Sequence, residues 1–237
     1  MSIENNNEIS IQRASFKNAL VLAVFALVST GLIAITHLFT KDKIAEEVEL
    51  SMIRQLNQIV PAENYNNAVY EDCLLINDVA MLGSKIKQKV YRMRVVSLQN
   101  FATQNNENVA PSSNYGLMLT TVAPDGYSGR IDLAVALTEK GEILGVNILS
   151  HQETPGLGDK IERKKSNWLN QFVGLSLSNV EEKKWRVKKD GGQFDALTGA
   201  TITPRAVIRA VRKSLLFYQL KDSLLFSQQS NCEANNE

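Results

Sequence analysis

Apolar and polar positions are distributed unevenly along the chain. From Ala19 to Phe39 it reads ALVLAVFALVSTGLIAITHLF, without one Asp, Glu, Lys or Arg. Wound as a helix rising about 1.5 Å per residue, this run of 21 residues reaches roughly 31 Å, the thickness of a bilayer's hydrocarbon core. The run predicts a transmembrane helix over 19–39. A buried helix of a soluble core and a cleavable leader are the competing readings, and Arg13 and Lys17 supply the basic start a leader needs. The stretch exceeds the roughly 7–15 residues of a leader's apolar core, and no small-x-small cleavage site follows it. An uncleaved anchor is the better reading. Arg13 and Lys17 precede it while Lys41 and Lys43 follow, so flanking charge barely discriminates its orientation. His37 reads as an interfacial residue, with a relay or ligand role as the alternative.

Beyond the anchor the pattern changes. Ile44, Val48, Met52, Leu56 and Ile59 recur at three- and four-residue spacing with charges between them, which predicts a stalk helix ended by Pro61. A plain core-facing helix fits the same spacing. Val69–Ile76, Val90–Leu98 and Tyr115–Val122 alternate as strands do, and Pro124-Asp125-Gly126 is a turn signal. Ile131–Leu137 and Ile143–Leu149 form a hairpin pattern with Gly141 in the connection. Phe101–Asn114 is polar, Asn-rich and loop-like. Asn167–Phe172 reads as a short helix, Trp185–Lys188 as a short strand, and Pro204–Leu220 as an amphipathic helix. The fold class is α+β: one N-terminal transmembrane helix, then a soluble domain of antiparallel strands with interspersed helices. The boundaries read as a short N-terminal tail at 1–18, the span at 19–39, a stalk at 40–60, the first part of the soluble domain at 61–124, its cofactor-binding part at 125–220, and a flexible tail at 221–237.

Charge and composition narrow the classes. The 26 Lys and Arg nearly cancel the 25 Asp and Glu, which excludes a polybasic nucleic-acid binder and an acidic disordered chain. Cys73 and Cys232 are too few for a disulfide scaffold, a four-cysteine zinc site or an iron–sulfur cluster. They can pair if the soluble part lies outside the cytoplasm and stay reduced if it lies inside.

Two segments carry candidate chemistry. In Asp190–Val207, DGGQFDALTGATITPRAV, Thr203 reads as an N-cap with Pro204 at the first helical position. The Thr198-Gly199-Ala200-Thr201 turn then sits just ahead of a helix N-terminus, whose free N–H groups and dipole favour phosphate. Gly199 and Ala200 allow close backbone approach, and Arg205 can add a charge-assisted contact. An ordinary capped helix is the alternative. In His151–Ile161, HQETPGLGDKI, Pro155, Gly156 and Gly158 make a compact loop that a flat ligand can lie against. Glu153 and Thr154 offer polar groups there, and His151 is more simply a structural imidazole. No Ser–His–Asp set and no dinucleotide G-x-G-x-x-G unit is present.

The run Asp195–Thr203, DALTGATIT, resembles the [ST]-G-A-T flavinylation motif of the FMN-binding domains in bacterial ion-pumping oxidoreductases. ETPGLGDKIE (153–162), APDGYSG (123–129) and KKDGGQFD (188–195), in this order behind a single span, resemble the G subunit of the Rnf electron-transport complex. The C subunit of the sodium-pumping NADH:quinone reductase is a relative and a competing assignment, and a cofactor-free anchored scaffold module is the alternative from a different class. The resemblance covers the chain from the anchor to the last helix. It implies FMN joined by a phosphoester to the hydroxyl of Thr201. It also implies cofactor contacts from Thr198, Gly199, Ala200, Thr203, Arg205, Glu153, Thr154, Gly156, Leu157 and Tyr127. Tyr127 and Trp168 are candidates to line the flavin ring, with core packing as the alternative for each, and Lys188 and Lys189 are candidates to approach the phosphate. No metal and no catalytic residue is expected. The role implied is that of an electron-transfer subunit of a multisubunit translocase, without substrate turnover of its own. Its partners are then the other membrane and soluble subunits, a flavin transferase and the lipid bilayer. The expected location is the bacterial inner membrane, single-pass, with the soluble domain periplasmic.

Overall fold

A computed structural model describes residues 4–95 and 113–232; the Asn-rich stretch at 101–112, the predicted strand end at 96–98 and tail residues 233–237 lie outside the described residues. The side chains of Arg13, Ile44 and Val48 are likewise not described. The chain divides into two compact units, 1–52 and 53–237.

In the first unit a single helix, α1 (Glu4–Asn57), carries the apolar run and continues through the predicted stalk into the start of the second unit. Its segment Phe16–Lys41 is long and apolar enough to cross a membrane, and none of its residues is buried. Three hydroxyls inside it are satisfied locally. Ser29, Thr30 and Thr36 donate to the carbonyls of Phe25, Ala26 and Leu32 at 2.8, 2.7 and 2.6 Å. Hydroxyls bonded this way do not present unpaired donors to an apolar surrounding.

The second unit is built on a five-stranded antiparallel meander in the order β1-β2-β3-β4-β5. Its strands are β1 (Cys73–Ile76), β2 (Gln88–Val95), β3 (Ser113–Gly126), β4 (Gly129–Thr138) and β5 (Ile143–Ser150). A one-turn helix, α2 (Val79–Leu82), joins the first two, and a long helix, α3 (Ile202–Ser227), closes the fold. Alternation along β3 and β4 sends Leu117, Leu119, Ile131, Leu133, Val135 and Leu137 to one face, where they are fully buried with Val207, Val211, Leu215 and Phe217 of α3. On the opposite face Met118, Ala134 and Ala136 are also buried. Gly145 of β5 lies so close to Ile59 that a Cβ there would come within 2.9 Å of the Ile59 Cβ.

Several elements differ from the sequence expectation. The predicted strand at 69–76 shortens to Cys73–Ile76, because Ala68–Asp72 forms a turn in which Glu71 and Asp72 donate to the Ala68 carbonyl at 3.0 and 3.2 Å. The Pro124-Asp125-Gly126 signal does not end its strand. β3 continues to Gly126 with its register shifted between Ala123 and Gly126, and Tyr127-Ser128 makes the connection to β4. Proline has no N–H for the ladder, so the irregularity falls where Pro124 sits. Trp185–Lys188 is not a strand: only Val187 bridges Phe194. Between β5 and α3 the chain makes short 3-10 turns held by an aromatic cluster. Phe172 stands 5.5 Å from Trp168 and 4.7 Å from Phe194, which is 5.6 Å from Trp185.

The predicted flexible tail from 221 is also revised, since α3 runs on to Ser227. Asp72 organises its end, accepting from Arg92 Nε at 2.6 Å and Arg94 Nε at 2.7 Å. The same guanidinium groups donate to the carbonyls of Leu225 and Phe226 at 3.2 and 3.1 Å, capping the last turn of α3. Beyond it Asn231 accepts from Leu75 N at 2.6 Å, and Ser230 Oγ donates to the Glu71 carbonyl at 2.6 Å. Cys232 is disulfide-bonded to Cys73, with their Cα atoms 5.6 Å apart.

Candidate functional site

The loop after β5 and the N-terminus of α3 meet around one buried carboxylate. Glu153 is 4% exposed. Its Oε1 accepts from Ser128 N at 2.9 Å, and its Oε2 accepts the hydroxyl of Thr203, a residue with no exposed surface. The β3–β4 connection, the 151–161 loop and α3 are thereby joined at a single side chain. Two glycines permit this approach. A Cβ on Gly126 would stand 2.8 Å from Glu153 Oε1, and one on Gly158 would stand 2.7 Å from Oε2. His151 supports the backbone of the same residue. Its Nδ1 accepts from Glu153 N at 3.0 Å while Nε2 faces Glu162 Oε1 at 3.0 Å, an arrangement that places the ring proton on Nε2.

The loop winds on Thr154, whose carbonyl accepts from Leu157 N at 3.2 Å and Gly158 N at 3.1 Å. Gly156 supplies a left-handed residue there, at φ +77°. Glu162 and Asp159 are both held below the usual carboxylate range. For Glu162 the first cause is its bond from Lys165, and for Asp159 it is the Gly156 backbone N–H.

Ahead of α3, Ala200 N donates to the Leu197 carbonyl at 3.0 Å, closing a tight turn with Gly199 at φ +78°. Positive φ at that position is what a type II turn demands. The helix starts one residue after Thr201, so Thr201 is the N-cap, and Thr203 and Pro204 lie inside the first turn rather than at the cap and first position. Thr203 lies past the cap, and its hydroxyl donates instead to Glu153. Thr201 makes no side-chain cap bond either, and it is exposed.

Thr201 opens on a cavity of about 250 Å³. Glu153, Thr154, Leu157 and Gly158 line it from the loop, Tyr127 from the β3–β4 connection, and Gly199 to Thr203 from the turn and first helical residues. Eight of the eleven expected cofactor residues are therefore brought together. Thr198 and Gly156 lie in the same turn and loop without lining the cavity. Arg205 points elsewhere, paired with Asp190 through two bonds of 2.6 and 2.8 Å that hold the Asp190 carboxyl below its ordinary value. Trp168 belongs to the aromatic core and donates to the Asp195 carbonyl at 2.7 Å, while Lys188 pairs with Asp195 at 2.6 Å. Ile202 and Gly158 line the cavity and were absent from the expected set. Gly158 was legible only as one of two glycines in a loop. Nothing in the local pattern marked Ile202.

This arrangement suits an esterified phosphate. An unspent hydroxyl stands at the start of a helix whose first-turn N–H groups have no partners inside the helix. Glycines keep Cβ atoms out of the approach, and the exposed rim of Tyr127 and Leu157 is apolar. Among the described residues no cluster of His, Cys, Asp or Glu is arranged as a metal site.

An apolar anchor helix followed by an α+β unit with this cavity is the architecture of a membrane-anchored FMN-binding-domain protein. The family model of the FMN-binding domain matches residues 126–216, and that of the RnfG N-terminal region matches residues 1–59. The G subunit of the ion-translocating oxidoreductase complex of Shewanella loihica is 44% identical over 227 residues, covering 96% of this chain and 100% of that one. The corresponding G subunit of Aliivibrio fischeri is 42% identical over 217 residues, covering 92% and 96%. The chain belongs to the family of G subunits of ion-translocating oxidoreductase complexes. Among solved structures, Shewanella oneidensis NqrC aligns at a TM-score of 0.43 with 20% identity, over 71% of this chain and 75% of that one.

Proposed function

We propose that this chain carries FMN as a phosphoester on Thr201 Oγ and relays electrons within an ion-translocating oxidoreductase complex, without turning over a substrate of its own. The observation that carries the reading is the contrast between neighbouring hydroxyls: that of Thr203 is buried and spent on Glu153, whereas that of Thr201 is exposed and makes no cap bond. The flavin, when bound, supplies the redox chemistry. The chain's own residues hold and orient. The first-turn N–H groups of α3, among them those of Ile202 and Thr203, and the positive end of the helix favour the charge a phosphodiester retains. Glu153 ties the loop to the helix and so fixes the distance between Thr201 and the Leu157 side of the cavity. Tyr127 and Leu157 offer apolar surface at its mouth. Arg205, engaged by Asp190, acts on a bound phosphate at most through its field.

A flavin transferase is the partner this attachment requires, and the other subunits of the complex are the electron donor and acceptor. We place α1 in the inner membrane and the second unit in the periplasm. The Cys73–Cys232 disulfide supports that side, because such bonds persist in oxidising compartments. The test is co-expression with a flavin transferase, followed by denaturing electrophoresis and in-gel flavin fluorescence. The parent chain fluoresces and Thr201→Ala does not. Fluorescence surviving the substitution, or absent from the parent, refutes the reading. A reporter fused after Ser227 that is active only in the cytoplasm would refute the orientation.

A further inference from the structure

A second cavity, of about 440 Å³, lies farther along α3. The irregular segment before α3 forms one wall with Trp185 and Arg186, and Arg205, Arg209, Arg212 and Lys213 of α3 form the other. Glu182 and Asp190 are the only carboxylates lining it, so five cations face two anions, a surplus of +3 on a chain whose total charge is +1. Three of the cations are partly engaged: Arg205 with Asp190, Arg212 with Glu182, and Arg209 with Asp125 from outside the cavity. Lys213 donates to the Ala80 carbonyl at 3.0 Å. Arg186 is exposed and has no ion-pair partner among the described residues.

A second observation points to the same place. Trp185 is 4% exposed, yet among the described residues its indole Nε1 has no hydrogen-bond partner, and the Nε of Arg212 is buried without one as well. Buried donors are paired in the great majority of cases. Here two unpaired ones belong to residues lining a single cation-rich cavity.

We propose that this cavity binds a small oxyanion-bearing ligand, a phosphate ester or a di- or tricarboxylate, whose oxygens accept from the Arg186 guanidinium, with the Trp185 and Arg212 side chains shifting to turn their enclosed, unpaired N–H groups toward it. Its volume falls within the roughly 300–1,000 Å³ of small-molecule sites. Trp185 and Ile208 add apolar wall for the body of such a ligand. Donors lying this deep favour a compact anion over an acidic protein segment, which would meet the exposed arginines first. The site stands whether or not Thr201 carries a flavin.

The chain has two tryptophans, Trp168 and Trp185, so Trp168→Phe leaves Trp185 as the sole reporter. The full-length variant in detergent, made without a transferase, is titrated with inorganic phosphate and with citrate, sodium chloride holding the ionic strength constant. The expected result is a saturable change in Trp185 emission that becomes about tenfold weaker in apparent affinity when Arg186→Gln is added. In the parent chain the same titration, followed on the indole N–H resonances, moves that of Trp185 and leaves that of Trp168, which is already bonded to Asp195. A response that tracks ionic strength alone, or that Arg186→Gln leaves unchanged, overturns the proposal. So does binding of a polyglutamate peptide with no response to phosphate or citrate.

Discussion

Replacing Thr203 with Val removes one hydroxyl while keeping the side chain's volume. That hydroxyl is wholly buried and donates to a carboxylate that is itself 4% exposed, so its loss leaves a nearly buried acceptor without its protein partner. A hydrogen bond to a charged group contributes about 1.5–3 kcal/mol. For a folded unit of 150–250 residues each kcal/mol moves the melting midpoint by about 2–4 °C, which places the expected fall at about 3–12 °C. Thr201→Val changes an equally similar side chain two positions away, but an exposed one without a cap bond, and its midpoint stays within about 1 °C of the parent. Both are read as melts followed by tryptophan emission, since Trp168 and Trp185 both lie in the second unit, on full-length chains made without a transferase. Co-expression with the transferase then reverses the order of damage: Thr201→Val loses the flavin and Thr203→Val retains it. Equal melting of Thr203→Val and the parent would refute the reasoning, because the Glu153–Thr203 bond would then contribute nothing to joining loop and helix.

Reducing the Cys73–Cys232 bond, or Cys232→Ser, should lower stability by up to about 5 kcal/mol on the loop-entropy estimate for a separation of 159 residues, read as the urea midpoint with and without reductant. Gly199→Ala places a Cβ at φ +78° and 2.7 Å from Leu157 Cδ2. Left-handed backbone costs about 1–2 kcal/mol, so melting falls and flavin incorporation drops with it, and unchanged values for both would show the turn to be tolerant. Asp159 and Glu162 titrate below their ordinary 3.8 and 4.5, so the stability they contribute is complete above that range and is lost as pH falls through the lowered values. Lys165→Met, which removes the first cause for Glu162, should shift acid unfolding to higher pH. The gap from the parent should close once both carboxylates are protonated, and a gap that persists there would contradict the assignment.

The anchor, the hairpin and the amphipathic helix were legible because each is a local period: an unbroken apolar run, alternation on either side of Gly141, and Val207, Val211, Leu215 and Tyr218 at helical spacing. The motif turn was legible because Gly199 and Ala200 are the small residues close approach requires. What escaped depends on long-range partners. Thr203 looks like an N-cap, but the helix begins before it, and its hydroxyl turns to Glu153, fifty positions earlier in the chain. Arg205 looks like a phosphate ligand until Asp190 pairs with it. Trp185–Lys188 has the composition of a strand, but Trp185 joins the aromatic cluster around Phe194 and no ladder forms. The tail reads as flexible because Ser230 and Asn231 reveal nothing of the β1 edge that receives them.

The bond between Cys73 and Cys232 makes the polypeptide between them a covalent ring, and Thr201 lies on that ring. A protease that severs one peptide bond anywhere in the ring therefore yields a nicked molecule that stays in one piece. Thr201 remains fastened to the anchoring helix by whichever arc is left uncut. A reducing gel separates the two fragments and a non-reducing gel does not.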